Sequence, residues 1–327
     1  MQGDLIVIFG GSGFIGRHLV KALAKRGKRV RVAMRRPHLG HELRVLGDVG
    51  QVQLVQANVR FPESVARALE GASAAVNLVG LLYEKGSQKF GAVQADGART
   101  IAEAAKAAGV SRFVHVSAIG ADERSRSAYG LTKAQAEQAV RATLPTATIV
   151  RPSIVFGPED EFFNRFADMA KFSPALPLIG GGKTRFQPVY VQDVAEAIAN
   201  ALDRADAQGR TFELGGPSVY SFKQLLQFIL TTIERPRMLT PLPFGVAGTM
   251  GAFIDAAFRL NPFAGPPLTG DQVEMLKTDN VVGVTGDRSI GTIADLGVSP
   301  LETVEAIVPT YLWRFKPYGQ FETKQPS

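Results

Sequence analysis

The chain has 327 residues, 45% of them hydrophobic and 20% charged, enough for one large α/β domain with an appended lobe. It has no cysteine, which excludes a disulfide framework, a thiol nucleophile and a sulfur-ligated metal. The net charge of +7 favours anionic partners such as a phosphorylated cofactor, an acidic protein face or anionic lipid. Nucleic acid is not expected, because the basic residues are scattered and no binding signature appears.

The opening MQGDLIVIFGG lacks a charged leader and a cleavage site, so no signal peptide is expected. Leu5–Phe9 reads as an apolar strand and Gly13 to Arg26 as a helix, with Phe14, Leu19, Val20 and Leu23 on one side. Between them lie Gly10, Gly13 and Gly16 in a G-x-x-G-x-x-G turn. In that context, glycine allows a tight turn, close approach of the backbone to a pyrophosphate, and packing of helix on strand. The N–H groups around Ser12, Gly13, Phe14, Ile15 and Gly16 then face an anion at a helix N-terminus.

Val30–Met34 is the second strand. It ends in Arg35 and Arg36 with no acid nearby. An NAD site usually carries Asp or Glu there for the ribose 2′-OH, whereas guanidinium groups grip a 2′-phosphate, so NADPH is the expected cofactor. The alternative is two solvated arginines. His38 and His41 follow, three apart, but no carboxylate pattern converges on them and no metal site is expected.

Val52–Gln56 is a third strand, Pro62–Leu69 a short helix and Ala74–Leu78 a fourth strand. Ala95–Ala108 is a helix stopped by Gly109, and Phe113–Ser117 a fifth strand. Ligands lie outside the carboxyl ends of parallel strands, which places Asn58 and Val59 at the adenine edge and Val79, Gly80 and Ser117 further along the crevice. The helix Ala128–Leu144 then carries Tyr129 and Lys133, four residues apart on one face. Lys133 can bond the nicotinamide ribose and lower the pKa of Tyr129. Tyr129 can exchange a proton with a carbonyl that Ser117 polarises. Alternatively, Tyr129 and Lys133 only pack and hold the cofactor, or lie on a solvated face.

Thr148–Val150 is a sixth strand. Beyond Pro152 the rhythm breaks into Gly/Pro-rich loops, with helices at Val191–Leu202 and Phe222–Ile233 and a strand at Thr211–Leu214. The expected architecture is a doubly wound parallel sheet (a Rossmann fold) over 1–151, with later segments returning to it, and a smaller α/β lobe over 152–327. Lys183 and Arg185 either serve a diphosphate substrate or form a flexible basic loop. Val246, Met250, Phe253, Ile254, Ala257 and Phe258 fall at helical spacing as an apolar stripe. That stripe, within 244–260, and the aromatic–cationic tail 311–321 suit a membrane surface or a hydrophobic partner; packing within the lobe is the alternative for both.

The G-x-x-G-x-x-G turn, Ser117, Tyr129, Lys133 and RPSIVFGPED (151–160) resemble the short-chain dehydrogenase/reductase superfamily in its extended or atypical branch. GGSGFIGRHLV, VSAIGAD, AYGLTKAQAE and FQPVYVQDVAEAI are most similar to the group of reductase-like accessory subunits of respiratory complex I and their bacterial relatives. The resemblance covers residues 4–235. It implies NADPH held tightly for structure and assembly, and main-chain contacts to the nicotinamide amide from Pro152, Ser153 and Ile154. The implied neighbours are complex I subunits where the peripheral and membrane arms meet. The implied location is the cytoplasmic face of a bacterial inner membrane, or the matrix side in a mitochondrion. The alternative is a stand-alone NADP-dependent reductase or epimerase acting on a quinone precursor or a sugar nucleotide.

Overall fold

The computed structural model describes residues 4–260 and 269–319, and within 4–260 not the side chains at 252, 253 and 255–260. Eight strands form one sheet: β1 (Leu5–Phe9), β2 (Arg29–Met34), β3 (Val52–Gln56), β4 (Ala74–Asn77), β5 (Arg112–Val116), β6 (Thr148–Pro152), β11 (Thr211–Leu214) and β14 (Gly291–Thr292). Their spatial order is β14-β11-β6-β5-β4-β1-β2-β3, and every pairing is parallel. Helices α1 (Phe14–Lys25) and α6 (Val191–Asp203) cover one face. Helices α2 (Pro62–Leu69), α3 (Asp96–Ala107) and α4 (Ala128–Thr143) cover the other.

Burial on both faces explains why LIVIF reads as a continuous apolar run. Alternation along β1 sends Ile6 and Ile8 into the core under α1 and α6, and Val7 and Phe9 into the core under α3 and α4. The sequence places the last two sheet strands far from the others, so the sheet is completed by chain that returns after 151.

The remaining elements build the lobe. Three two-stranded ribbons pair β7 (Val155–Phe156) with β10 (Val189–Tyr190), β8 (Ala175–Ile179) with β13 (Met238–Leu242), and β9 (Arg185–Phe186) with β12 (Tyr220–Ser221). Around them lie α5 (Phe163–Phe172), α7 (Phe222–Thr232), α8 (Phe244–Leu260), α9 (Gly270–Met275), α10 (Val304–Ile307) and α11 (Pro309–Leu312). Phe163, Leu176, Phe222, Leu226, Ile229 and Leu312 are buried in a core of their own.

Two expectations about the lobe change. Helix α8 turns Ala247 and Gly251 inward, and Gly251 lies so close to Gly270 of α9 that a Cβ would sit 2.7 Å from its nitrogen. Val246 and Met250, each 48% exposed, therefore point outward while Ile254 is half-buried. The side chains of Phe253, Ala257 and Phe258 lie outside the described residues. The tail follows the alternative reading over part of its length and packs on the lobe. Its helical turns bury Tyr311, Leu312 and Phe315 and leave Trp313 and Tyr318 exposed; residues 320 and 321 lie outside the described chain. Tyr311 donates to the buried Asp160 carboxylate, which pins this segment to the loop after β7. Among the described residues no helix is long and apolar enough to cross a membrane.

Candidate functional site

The strand order reverses between β1 and β4, and a crevice opens at their carboxyl ends. Gly10 sits there with φ +81°, and a Cβ on it would lie 3.0 Å from the Leu78 carbonyl carbon and 3.1 Å from Val79 N. Gly13 N donates to Gly10 O at 3.0 Å and closes the turn. A Cβ at Gly16 would stand 2.5 Å from Gly10 O, so only glycine lets α1 seat on the turn. Gly13 is the N-cap of α1, no side chain caps the helix, and its first turn holds no acid. The amides of Phe14 and Ile15 thus belong to an uncapped first turn, open to an anion. Ser12 is half-buried, and its carbonyl accepts from Arg17 Nε at 3.2 Å.

Arg35 and Arg36 follow β2 and are exposed. Neither side chain bonds or pairs with protein among the described residues. The nearby acid Glu42 is paired with Arg17 at 3.7 Å. Asn58 accepts from Arg60 N at 3.2 Å, and Val59 packs where a Cβ on Gly97 would stand, 2.8 Å away.

Lys133 comes across from α4 to the ends of β4 and β5. Its Nζ donates to Val116 O at 3.1 Å and lies 3.5 Å from the Cβ position of Gly80. Val79 N donates to Asn77 Oδ1 at 3.0 Å, which fixes the chain entering Gly80. The Tyr129 ring lies 5.9 Å from Lys133 Nζ and meets Phe90 edge-on at 6.0 Å. The structure therefore brings Gly80, Ser117, Tyr129 and Lys133 to one end of the sheet.

Their protonation differs from the expectation. Burial, followed by the Asp271 charge, pushes the Tyr129 phenol up to about 12 instead of down. Burial lowers Lys133 to about 8, although the nearby Glu137 favours its charge. The unfolded chain holds the lysine proton up to about 10.5, so between pH 8 and pH 10 it binds more protons than the fold. This group's contribution to stability therefore rises with pH over that window. Urea unfolding of Lys133→Met is expected to show a flatter rise than the parent from pH 8 to pH 10; an unchanged slope would contradict the buried amine.

Asp271 reaches α4 from the lobe. Its carboxylate accepts from Ser127 Oγ at 2.9 Å, Ala128 N at 2.6 Å and Tyr129 N at 3.2 Å. Ser127 in turn caps the helix through Gly130 N at 3.2 Å. A carboxylate at a helix N-terminus stabilises it, and Asp271→Ala is expected to cost about 1–2 kcal/mol in chemical denaturation. The same change should lower the Tyr129 phenol, read by ultraviolet titration.

Pro152 and Ser153 are buried and Ile154 half-buried. The Ser153 hydroxyl is engaged by Asn280, donating to its carbonyl at 2.9 Å, and Ile154 O accepts from Val189 N at 2.9 Å. Arg185 is held by Asp279, through Nε and Nη2 at 2.8 Å each, so its charge is already matched. Lys183 is exposed.

Several site residues escape a reading of the sequence. Asn77 and His115 face each other across β4 and β5, with Asn77 Nδ2 and His115 Nδ1 3.1 Å apart. Burial and the Lys133 charge depress His115 to about 3, so the ring is neutral and its Nδ1 accepts. Each is a polar residue set beside apolar ones at the inner end of its strand, Asn77 in AAVN and His115 in FVHV, and that is the signal that marks them. Gln94 lies on a π-helical turn, Gly91–Ala95, a form enriched at functional sites. Among the described residues, the buried side-chain atoms without a partner are Gln94 Oε1, His115 Nε2 and Ser117 Oγ. An orphaned Ser117 hydroxyl, a cradle that a Cβ would fill and two unpaired guanidinium groups fit a dinucleotide.

The model of the "NAD dependent epimerase/dehydratase family" matches residues 6–215. The chain is 36% identical to mouse (Mus musculus) "NADH dehydrogenase [ubiquinone] 1 alpha subcomplex subunit 9, mitochondrial", over 96% of this chain and 82% of that protein. It is 34% identical to a "Ceramide reductase" of Caulobacter vibrioides, over 84% of this chain and 85% of that one. The fold is shared with UDP-glucuronic acid 4-epimerase from Bacillus cereus, solved with UDP-glucuronic acid and NAD, at TM-score 0.70 and 17% identity, covering 94% of this chain and 98% of that one. The crevice suits a nicotinamide dinucleotide, and the chain belongs to the NAD dependent epimerase/dehydratase family, in the extended branch of the short-chain dehydrogenase/reductase superfamily.

Proposed function

We propose that the protein is an accessory subunit of respiratory complex I that holds NADPH mainly for structure and assembly. One observation carries this reading: the family model stops at residue 215, whereas similarity to the mouse complex I subunit runs over 96% of the chain and so through the lobe. In this reading the lobe, which that similarity includes, would carry the docking surface. The outward Val246 and Met250 of α8 supply an apolar strip for it. The partners would be subunits at the junction of the two arms. The protein would sit peripherally on the cytoplasmic face of a bacterial inner membrane, or on the matrix side in a mitochondrion.

In this reading the chain divides at 151/152 into a cofactor domain and a docking lobe, with β11 and β14 returning to the first. The first turn of α1 and its glycines hold the pyrophosphate, Asn58 and Val59 border the adenine, and Arg35 and Arg36 hold the 2′-phosphate. Val79 and Gly80 line the crevice, Lys133 and Tyr129 bond the nicotinamide ribose, Ser117 Oγ gains a partner, and the main chain of 152–154 meets the carboxamide. A bound nicotinamide supplies hydride chemistry. The phenol held near 12 resists losing its proton at neutral pH, which suits a hydrogen-bond donor that fastens the ligand. A ligand bound only by the folded state stabilises it by about 4 kcal/mol at a thousandfold excess over its dissociation constant.

Native mass spectrometry of the membrane complex tests this. NADPH retained together with complex I subunits is the expected result. NAD in its place, or a protein found free of the complex, overturns it. The second reading, a stand-alone NADP-dependent reductase, rests on Ser117, Tyr129 and Lys133 meeting at one place and on the 34% identity to the Caulobacter reductase. Turnover by the free protein, abolished in Tyr129→Phe, would establish it. A sugar-nucleotide substrate is the weaker form of it, because Arg185 is already paired with Asp279.

A further inference from the structure

The large sheet ends differently at its two edges. On one side β14 is only Gly291–Thr292, and Thr292 N already donates to Asp295 Oδ2 at 2.6 Å. On the other side β3 pairs with β2 in an unbroken register, from Val30 opposite Val52 to Met34 opposite Gln56, and no strand lies beyond it among the described residues. Parallel pairing uses alternate residues of β3. Val30 N donates to Gln51 O at 2.9 Å and Ala57 N to Met34 O at 3.0 Å. The ladder therefore takes residues 51, 53, 55 and 57, and it turns the N–H and C=O groups of Val52, Leu54 and Gln56 outward. None of these outward groups has a partner among the described residues.

Natural sheets protect such an edge with charge, proline, a bulge or a covering segment. Here Gly50 to Val59 holds no charged residue and no proline, and the register has no bulge. Leu43 and Leu46 of the preceding crossover join the core on the α1 side, so they cover a face of β3 and leave its edge open.

Beside the first half of β3 lies a cleft of about 750 Å³. Val45 and Val49 line it, the first 82% exposed and the second fully exposed. Arg29 and Arg44 line it too; both are exposed, and neither pairs with a carboxylate among the described residues. Asp48 is the one acid there. Free main-chain donors and acceptors, bare valines and an excess of cation fit an extended segment with apolar residues at alternate positions and acids between them. A second copy of the chain fits less well. It would set one cationic cleft against another, and a strand of 5 residues buries far less than the roughly 1,200 Å² that a stable dimer needs. Pairing β3 of one copy with β14 of another is blocked, because Asp295 occupies Thr292 N.

We propose that the β3 edge docks an extended segment of a partner protein, apolar and acidic by turns, which adds one strand to the sheet. This surface belongs to the cofactor domain and stands apart from the lobe and from the complex I reading.

The test uses the full chain and a synthetic peptide of about ten residues, valine alternating with glutamate, labelled for fluorescence anisotropy. The peptide is expected to bind, and a counterpart with lysine for glutamate to bind roughly tenfold more weakly. Amide hydrogen exchange, followed by NMR, should slow at Val52, Leu54 and Gln56 on binding. It should stay unchanged at Gln53 and Val55, whose amides are already in the ladder. Gln56→Pro removes an outward N–H and no ladder bond, and the Gln56 side chain is exposed, so the variant keeps the fold, checked by an unchanged melting curve. It should weaken the peptide roughly fivefold, and Arg44→Glu should do the same through charge. Absence of binding overturns the proposal, as does binding that leaves those three amides unprotected. So does equal binding of the lysine peptide, or full binding by both variants. Protection of the same amides that grows with protein concentration, without peptide, would assign the edge to a second copy and also overturn it.

Discussion

Replacing Arg35 and Arg36 together by alanine is expected to weaken NADPH binding about hundredfold and to leave NADH binding nearly unchanged. Each guanidinium bond to a phosphate contributes about 1.5 kcal/mol, and two such bonds give about 3 kcal/mol, a factor of roughly a hundred. The effect is selective because the two cofactors differ only in the 2′-phosphate, and because both arginines stand free of acidic partners at the end of β2. Glu42, the acid nearest in sequence, is already paired with Arg17. Titration of the free protein with each cofactor, followed by fluorescence, checks this. Equal losses for both cofactors would mean that the arginines only support the loop. No loss for either would place the phosphate elsewhere. Gly16→Ala separates the two effects: it disturbs the seat of α1 on the turn and should weaken both cofactors alike.

Most of the sheet is legible in the sequence because its signals are local. LIVIF ends in a glycine turn, and VAMRR and AAVNLV end where the crevice begins; apolar run, turn and helix follow one another within thirty residues. Boundaries shift only slightly, as when the fifth strand runs Arg112–Val116 and leaves Ser117 just beyond its end. What the sequence hides is the joining of distant segments. Asp271 caps α4 across more than 140 residues, and Asn280 engages Ser153 across 127. Short polar residues in loops give no sign of the partner they meet. The Tyr129 shift is hidden too: spacing along α4 shows Lys133, but neither the burial that raises the phenol nor the Asp271 charge that arrives from the lobe and adds to it. The α8 stripe shows a third limit. A helix that is apolar nearly all round does not reveal from periodicity which side is covered, and here the side carrying Ala247 and Gly251 packs inward.

Glu137→Ala is expected to destabilise the protein by about 3 kcal/mol, because it removes the principal partner of the largely buried Arg151 guanidinium. Glu137 lies one turn beyond Lys133 on α4 and grips Arg151 of β6 with both oxygens, at 2.8 and 2.7 Å. Burial alone disfavours the Arg151 charge; the bonds to Glu137, with the charges of Glu137 and Glu213, outweigh it. Without Glu137 the guanidinium retains Glu213 at 3.8 Å, whose other oxygen accepts from Gly283 N at 2.8 Å. One carboxylate still balances one cation, which keeps the loss near the lower end of the usual range for a broken buried pair. Urea unfolding measures it, and a loss below about 1 kcal/mol would mean that Glu213 takes over the pairing entirely. The same variant should lower the pKa of Lys133 further below about 8, because the Glu137 charge is what favours its protonated form. Cofactor affinity at neutral pH should then fall along with stability. The triple variant Glu137→Leu, Arg151→Met, Glu213→Gln distinguishes the two effects, since Glu213 is the other buried partner of Arg151. Neutral side chains of similar volume leave no unpaired charge, and the glutamine oxygen still accepts from Gly283 N, so stability should return to near that of the parent. Lys133 would still lack its neighbouring carboxylate, so the weaker cofactor binding should persist. Recovery of both properties together would show that Glu137 acts on the cofactor only through the stability of the fold.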